Sequence, residues 1–95
     1  MKRPLYYLAA CLTSLALAKA DPVKITYWDF FSGGDGIRMK QIVEEFNKSQ
    51  QEVQVTQTTL TWGEPFYTKI HTAVVSGQTP DVMSYHLSRF AAGIA

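Results

Sequence analysis

The order of hydrophobic and polar side chains divides most of this chain into short alternating segments and longer helical ones. Residues 23–28, 52–58 and 82–85 are short and rich in β-branched and aromatic side chains, and the first two alternate apolar with polar positions. Such alternation places one set of side chains on each face of a strand. The sequence therefore predicts three β-strands.

Two segments between these strands repeat with the period of an α-helix instead. The apolar positions are Met39, Ile42, Val43 and Phe46 in the first segment and Phe66, Ile70, Ala73 and Val74 in the second. Spacings of three and four residues place these side chains on one face of a helix. We therefore expect a helix over residues 37–48 and another that begins near Pro65 and ends before Gly77.

The connection from the second helix to the third strand carries the clearest local signals. Gly77 favours the left-handed conformation that ends a helix, and Pro80 prevents the helix from continuing. Asp81 is expected to fix the turn after Pro80. A final helical turn should begin at Arg89, with Ser88 as its cap. The order β-α-β-α-β-α predicts an α/β fold with parallel strands and helices that cover the sheet.

Composition agrees with a folded chain and excludes two classes of protein. Of the 95 residues, 46% are hydrophobic and 18% are charged, which is typical of a globular protein. Outside the first 20 residues there are six basic and eight acidic residues, a net charge of −2 that argues against a nucleic-acid-binding face. The single cysteine, Cys11, lies within those 20 residues, so the remainder offers neither a disulfide nor a cysteine-based zinc site.

The first 20 residues have the layout of a secretion signal. A basic start precedes a mostly apolar run over residues 5–17, and Ala18 and Ala20 are the small residues that a signal peptidase reads. We expect cleavage after Ala20 and a periplasmic or extracellular location. A second interpretation stays open, because residues 8–11 resemble a lipobox that would place a lipid anchor on Cys11. Apolar residues follow this cysteine where lipoproteins usually have a polar tether, which favours soluble secretion.

Four features occur in a fixed order along the chain. They are the secretion signal, a first strand that ends in Tyr27-Trp28, a helix that ends in Glu44-Glu45-Phe46-Asn47, and a helix followed by Gly77-Gln78-Thr79-Pro80-Asp81 and a strand. Together they resemble the extracellular solute-binding proteins, family 1, of bacterial ABC importers, which are sugar-binding relatives of the maltose-binding protein. The resemblance runs from about Val23 to Ala95 and implies a periplasmic-binding-protein-like fold.

The resemblance also implies a function and a larger protein. Members of this family are several times longer and have two lobes, so residues 21–95 would be the N-terminal part of the first lobe and the chain a fragment. Such a protein is not an enzyme and needs no cofactor or metal. It captures a sugar or oligosaccharide by hinge closure and delivers it to the permease subunits of an ABC transporter. Contact with the membrane would come only through the permease or the lipid anchor.

In open α/β sheets, ligands bind at the carboxyl ends of the strands, which here points to residues 28–36, 60–64 and 85–89. Each of these loops combines an aromatic residue with hydrogen-bonding groups. A sugar needs both, because its C–H faces pack on rings while its hydroxyls need polar partners. By position in the family, the candidate ligand contacts are Trp28, Ser32, Gly33, Trp62, Tyr85 and His86.

Several of these positions have a second interpretation. Trp28 fits the sheet core as well as a ligand role, and residues 32–34 can either accept an anion on backbone N–H groups or form a tight turn. His86 is expected to face the ligand, whereas His71 is expected on a helix surface. Maltose-binding relatives carry an acidic sugar-binding residue in the loop that corresponds to residues 86–89. This chain has none there, so the identity of the sugar is not carried over.

Three other functions stay open at this stage. A binding protein for a non-sugar solute, such as a polyamine, an iron complex or a phosphodiester, would share the fold. A secreted carbohydrate-active hydrolase would need two carboxylates, for which Asp29 and Glu64 are the candidates, although nothing in the sequence fixes their spacing. A flavodoxin-like cytoplasmic domain has the same α/β pattern, but the leader argues against it. The sequence contains no nucleophile elbow, phosphate loop or His-Glu-x-x-His motif.

Overall fold

The computed structural model describes residues 20–89, in which strands and helices alternate. The elements are β1 (Val23–Asp29), α1 (Gly33–Ser49), β2 (Val53–Thr59), α2 (Glu64–Ser76), β3 (Val82–Met83) and a 3₁₀ turn (Leu87–Arg89). The 3₁₀ turn begins two residues before Arg89, at which the final helical turn was expected to start. The predicted secretion signal up to residue 19, with Cys11, and the helix expected beyond Arg89 lie outside the described residues.

All three strands are parallel, and their order in the sheet is β2-β1-β3. The central strand β1 pairs with β2 along its whole length. On its other side β1 pairs with β3 at only two positions, Tyr27 with Val82 and Trp28 with Met83. The predicted α/β fold with parallel strands is confirmed.

The two helices lie on opposite faces of this sheet. Tyr27 and Ile25 face an apolar groove that is also lined by Val43 of α1. Trp28, the next residue after Tyr27, packs instead against a cluster that contains Phe66 of α2. Because neighbouring side chains of a strand point to opposite faces, α1 and α2 cover different faces. Neither helix of the described part is long and apolar enough to cross a membrane.

The best-packed part of the described structure lies under α2. The helix buries Phe66, Tyr67, Ile70 and Ala73, as the helical period predicts for three of these four. Val74, which the pattern placed on the same apolar face, is 58% exposed. The buried face is therefore rotated toward Tyr67, because that ring packs against the aromatic residues at the carboxyl edge of the sheet.

The face of α1 is apolar, as predicted, but it is only loosely packed. None of its residues is buried, and Ile42 and Phe46 are 58% and 43% exposed. Between α1 and the sheet runs an apolar groove of about 350 Å³. The expectation that this helix would cover its face of the sheet is thus met only in part.

Several predicted boundaries are shifted by a few residues. Helix α1 begins at Gly33, four residues before the predicted start, because residues 33–36 adopt helical hydrogen bonding with Gly36 N–H donating to Ser32 O at 3.2 Å. Strand β3 ends at Met83, two residues earlier than predicted. Helix α2 ends as expected, since Gly77 has φ +71° and its N–H donates to the carbonyls of the last turn.

Two side-chain amides, one from the last part of α1 and one from the residue that follows it, cover part of the outer edge of β2. Asn47 donates to Val55 O at 2.9 Å and accepts from Val55 N–H at 2.8 Å. Gln50 makes the same pair of bonds to Val53, at 2.6 and 2.7 Å. These amides take the place of a neighbouring strand and satisfy backbone groups that an edge strand otherwise exposes.

Asp81 and Thr26 are joined by four hydrogen bonds between β1 and the start of β3. The Asp81 carboxylate accepts from Thr26 N–H at 2.8 Å and from the Thr26 hydroxyl at 3.1 Å. In return, Asp81 N–H lies 3.1 Å from Thr26 O and 3.0 Å from its Oγ1. Asp81 therefore fastens β3 to the central strand, which is a wider role than the turn-fixing one expected from the sequence.

We predict that Asp81→Asn lowers stability at neutral pH and that this difference vanishes in acid. The backbone N–H of Thr26, and then its hydroxyl, hold the pKa of Asp81 below its ordinary value of 3.8. Because the pKa is lower in the folded state, the contribution of Asp81 is complete above about pH 4 and is lost as the pH falls through the folded-state value. The urea unfolding midpoints of the two proteins should therefore differ at about pH 7 and converge below about pH 4.

Asp21→Asn is the matched control for this series, because Asp21 is an exposed carboxylate that precedes β1. Its unfolding midpoint should follow that of the unchanged protein throughout. An Asp81→Asn difference that persists undiminished in acid would contradict the role given to the charged carboxylate.

Candidate functional site

The carboxyl ends of the three parallel strands bring three loops to one edge of the sheet. Phe30 follows β1 directly, Trp62 lies between β2 and α2, and Tyr85 and His86 follow β3. These are the loops in which ligand contacts were predicted. Their aromatic side chains are in contact with one another.

His86 lies at the centre of this arrangement. Its ring is stacked on Phe30, with ring centroids 4.4 Å apart and planes inclined by 8°. Its Nε2 accepts a hydrogen bond from Trp62 Nε1–H at 3.2 Å, and its Nδ1 is hydrogen-bonded to the hydroxyl of Tyr67. The same hydroxyl oxygen accepts from the backbone N–H of His86 at 3.0 Å. His86 thus connects the loops after β1 and β2 to helix α2.

Tyr67 is held from several sides and is only 3% exposed. Its ring meets Tyr85 edge-on at a centroid distance of 5.0 Å and Phe66 at 5.4 Å. The guanidinium of Arg89 lies 4.4 Å from the ring centroid, a cation–π distance. Tyr67 therefore offers His86 a hydroxyl whose position is fixed by packing.

A groove of about 310 Å³ opens beside these residues, and we call it the aromatic groove. Its lining residues are Trp62, Gly63, Glu64, Tyr67, His86, Ser88 and Arg89. The indole of Trp62 is 65% exposed, and Glu64 and Arg89 form an ion pair. The structure thus brings Trp62 and His86 together, as predicted, whereas Tyr85 supports Tyr67 and is not among the lining residues.

Ser32 and Gly33 lie in a second groove of about 400 Å³, which we call the α1 groove. Its lining residues are Phe31, Ser32, Gly33, Gly36, Ile37, Lys40, Gln57 and Thr59. Ser32 is the N-cap of α1 but makes no side-chain capping bond, and Gly33 has φ +56°, which favours glycine whether or not a ligand binds. Their role as ligand contacts stays a prediction.

The two grooves are neighbours at the same edge of the sheet. Phe31 lines the α1 groove, and Phe30 supports His86 of the aromatic groove. The centroids of these two rings are 5.3 Å apart. A single pair of residues therefore separates the two sets of predicted ligand contacts.

Trp28 is not among the lining residues of either groove and contributes to packing. Its side chain is half-buried against the cluster of Phe30, Phe66, Tyr67 and Ile70. Of the two interpretations given by the sequence, this contact supports the core one.

Asp29 and Glu64, the two carboxylates considered for a hydrolase, bond to different partners within the protein. Asp29 is fully buried and accepts hydrogen bonds from Phe31 N–H at 3.2 Å, from the Thr59 hydroxyl at 2.8 Å and from the Gln57 amide. Glu64 is exposed and pairs with Arg89. A buried carboxylate of which both oxygens accept hydrogen bonds from the protein serves the fold.

The remaining titratable candidates lie outside the grooves. His71 is exposed on α2, as expected, and Asp81 is used by the contact with Thr26. Within residues 20–89, no group of three or more His, Cys, Asp or Glu side chains is arranged to hold a metal ion.

Tyr67, Phe30 and Arg89 contribute to the aromatic groove or its support but were not predicted as ligand contacts. Tyr67 does follow the helical period, because Tyr67, Ile70 and Ala73 repeat every third residue along α2. Phe30 directly follows the predicted first strand and could have been included for that reason. No sequence pattern indicates the position of Arg89, because its partner Glu64 is 25 positions away in the sequence.

A solved structure supports this architecture. The chain is similar to the cyclic alpha-maltosyl-1,6-maltose binding protein from Arthrobacter globiformis, with a TM-score of 0.62 and 26% sequence identity. The match covers 65% of this chain and 16% of that protein. The fold is periplasmic-binding-protein-like. No protein-family model and no curated protein sequence matches the chain.

We predict that Asp29→Leu destabilises the protein by about 2 kcal/mol or more, because it leaves the buried donors of Phe31 and Gln57 without an acceptor. Asp29→Asn should lose less than about 1 kcal/mol, since the Gln57 amide can turn its oxygen toward the new amide group. Urea unfolding followed by circular dichroism measures both changes.

Glu64→Gln is the control for these variants, and its loss should stay below about 1 kcal/mol because the ion pair with Arg89 is exposed. If Asp29→Leu were as stable as Asp29→Asn, the structural role of this carboxylate would be wrong.

Proposed function

We propose that this protein binds a sugar or oligosaccharide at the carboxyl edge of its sheet, as the extracytoplasmic solute-binding component of an ABC transporter. The observation that carries the proposal is the exposed indole of Trp62, fixed beside polar groups in the aromatic groove. An exposed indole offers a large apolar face and a polar N–H, a combination that is common at binding surfaces. A pyranose suits this surface, because its C–H face can pack on the indole.

The polar groups of the groove can form hydrogen bonds with the hydroxyl groups of a sugar. Glu64 accepts hydrogen bonds, Arg89 donates them, and Ser88 can do both. Tyr67 adds a hydroxyl group, whose oxygen is hydrogen-bonded to Nδ1 and to the backbone N–H of His86. Sugar hydroxyls both donate and accept, so they can satisfy all of these groups at once.

The solved structure that resembles this chain adds support from its ligand class. That protein is described as binding cyclic alpha-maltosyl-1,6-maltose, a carbohydrate. Because the match covers 16% of its length, the ligand of the whole protein is carried to this chain as a proposal only. The missing acidic residue in the loop after β3 leaves the sugar itself to be found by experiment.

Delivery to a membrane permease is the wider part of the proposal. It rests on the secretion signal predicted over residues 1–20 and on the resemblance to solute-binding proteins of ABC importers. In this scheme the protein acts outside the cytoplasm, and the aromatic and α1 grooves form one wall of a cleft that closes on the ligand.

We predict that maltose or maltotriose binds the chain weakly, with a dissociation constant on the order of 1 mM, because one wall contacts only one side of the ligand. Chemical-shift perturbation of the Trp62 indole N–H signal in ¹H–¹⁵N spectra would measure this binding. Trp62→Ala should weaken it roughly tenfold or more, since the largest apolar surface of the groove is lost.

Trp28→Phe is the matched control, because it changes the other tryptophan, which lies in the core packing. Its affinity should stay close to that of the unchanged chain. Equal losses for the two variants would contradict the assignment of Trp62, micromolar binding would contradict the one-wall geometry, and binding of an anionic solute in place of any sugar would point to a non-sugar ligand.

A further inference from the structure

A hydrogen-bonded chain of three side chains runs from the core to the exposed indole of the aromatic groove. Tyr67, which is almost fully buried, bonds to Nδ1 of His86, and Nε2 of His86 bonds to Trp62 Nε1 at 3.2 Å. The imidazole between them cannot tilt freely, because it is stacked on Phe30 at 4.4 Å. The position of the histidine ring is thus set by residues of the core.

The hydrogen atoms of this chain can be assigned from its donors and acceptors. The indole N–H of Trp62 can only donate, so Nε2 of His86 must be the unprotonated nitrogen. A neutral imidazole then carries its hydrogen on Nδ1, which donates to the hydroxyl oxygen of Tyr67. If His86 were doubly protonated, its Nε2–H would face the Trp62 N–H, and two donors cannot form a hydrogen bond.

The orientation of Trp62 depends on this one nitrogen. Among residues 20–89, its two specific contacts are the hydrogen bond to His86 and an edge-on ring contact with the same side chain at 5.7 Å. Because 65% of the residue is exposed, these two contacts with His86 are the described constraints on the orientation of the indole.

We propose that His86 is a positioning residue whose neutral, Nδ1-protonated form fixes the Trp62 indole for ligand binding and whose protonation releases it. His86 does not itself offer a nitrogen to the ligand, because both nitrogens are already used. The ligand part of this inference rests on the proposed function, whereas the pH-dependent contact between the two side chains does not.

The other ionisable groups around His86 do not produce the same response. Tyr67 and Glu64 face it from α2, and Arg89 faces it from the 3₁₀ turn, paired with Glu64. Between roughly pH 8 and pH 5, histidine is the ordinary side chain that changes its charge, while tyrosine, glutamate and arginine generally do not. The sequence has two histidines, and the second, His71, is exposed on the outside of α2.

The first experiment needs no ligand. ¹H–¹⁵N spectra of the 95-residue chain should contain two indole N–H signals, one per tryptophan, and Trp28→Phe identifies that of Trp62. On acidification from about pH 8 to about pH 5, the Trp62 signal should move in a single transition toward the position of a solvent-exposed indole. Long-range ¹H–¹⁵N spectra should show His86 as the Nδ1–H tautomer at the alkaline end.

Three variants separate positioning from general stability. His86→Phe keeps a ring on Phe30 but removes the acceptor, so the Trp62 signal should lie at the exposed position at every pH. His86→Gln supplies a side-chain oxygen that does not titrate and should keep the bonded position across the range. His71→Gln should retain the transition, and circular dichroism would confirm that all three variants are folded.

The ligand arm uses maltotriose as the probe at the two ends of the pH range. Affinity of the unchanged chain should fall roughly 3- to 10-fold on acidification, the range expected for losing one hydrogen bond that fixes the indole. In His86→Gln the affinity should not depend on pH.

The experiment without ligand and the experiment with maltotriose test different parts of the proposal. A Trp62 signal that is insensitive to both pH and His86→Phe would overturn the positioning role. A normal transition without binding of any sugar would leave the contact in place and contradict the proposed function instead.

Discussion

The hydrogen bonds between Thr26 and Asp81 are the constraint on which the binding edge depends. Strand β3 has two residues, and both side chains are exposed, Val82 by 51% and Met83 by 37%, so burial contributes little to holding it. Instead, the Asp81 carboxylate accepts a hydrogen bond from the backbone N–H of Thr26. Thr26 directly precedes Tyr27, the first residue of β1 that pairs with β3. Ser84 then continues the alignment, with its N–H 2.9 Å from Trp28 O and its hydroxyl 2.7 Å from that of Tyr27. His86 reaches Phe30 because this short strand is fastened at both ends.

The same residues serve the core and the candidate site. Tyr67 is part of the buried cluster under the sheet, and its hydroxyl also determines where His86 lies. Phe30 closes the core at the carboxyl edge and presents one ring face to that histidine. Function and stability are therefore coupled at this edge, and variants of Tyr67 or Phe30 would change both together. Trp62, which is exposed, is the position at which the candidate site can be altered with least effect on folding.

The sequence contained enough information for the order of elements and for the meeting of three loops at the carboxyl edge of the sheet. Alternation over residues 23–28 and the Gly77 signal are local, and both were interpreted correctly, as was the parallel arrangement that follows from them. The bonds that define the site are not local. Trp62 meets His86 across 24 positions and Glu64 meets Arg89 across 25, and no periodic pattern contains such a pair. The first four residues of α1 were missed because three of them are glycines, which are typical of a loop. Their low helix propensity is overcome by backbone hydrogen bonding.

An exposed aromatic residue binds a ligand well only if its orientation is already fixed. A freely rotating indole loses conformational freedom when a ligand covers it, and that loss subtracts from the affinity. In this protein the loss is reduced in advance, because Trp62 is bonded to a histidine that is itself held by Phe30 and Tyr67. The arrangement combines a large apolar surface with little packing around it, which is what a sugar face requires. In the proposed scheme, His86 connects the core to the ring on which the ligand would pack, so the orientation of that ring depends on one side chain.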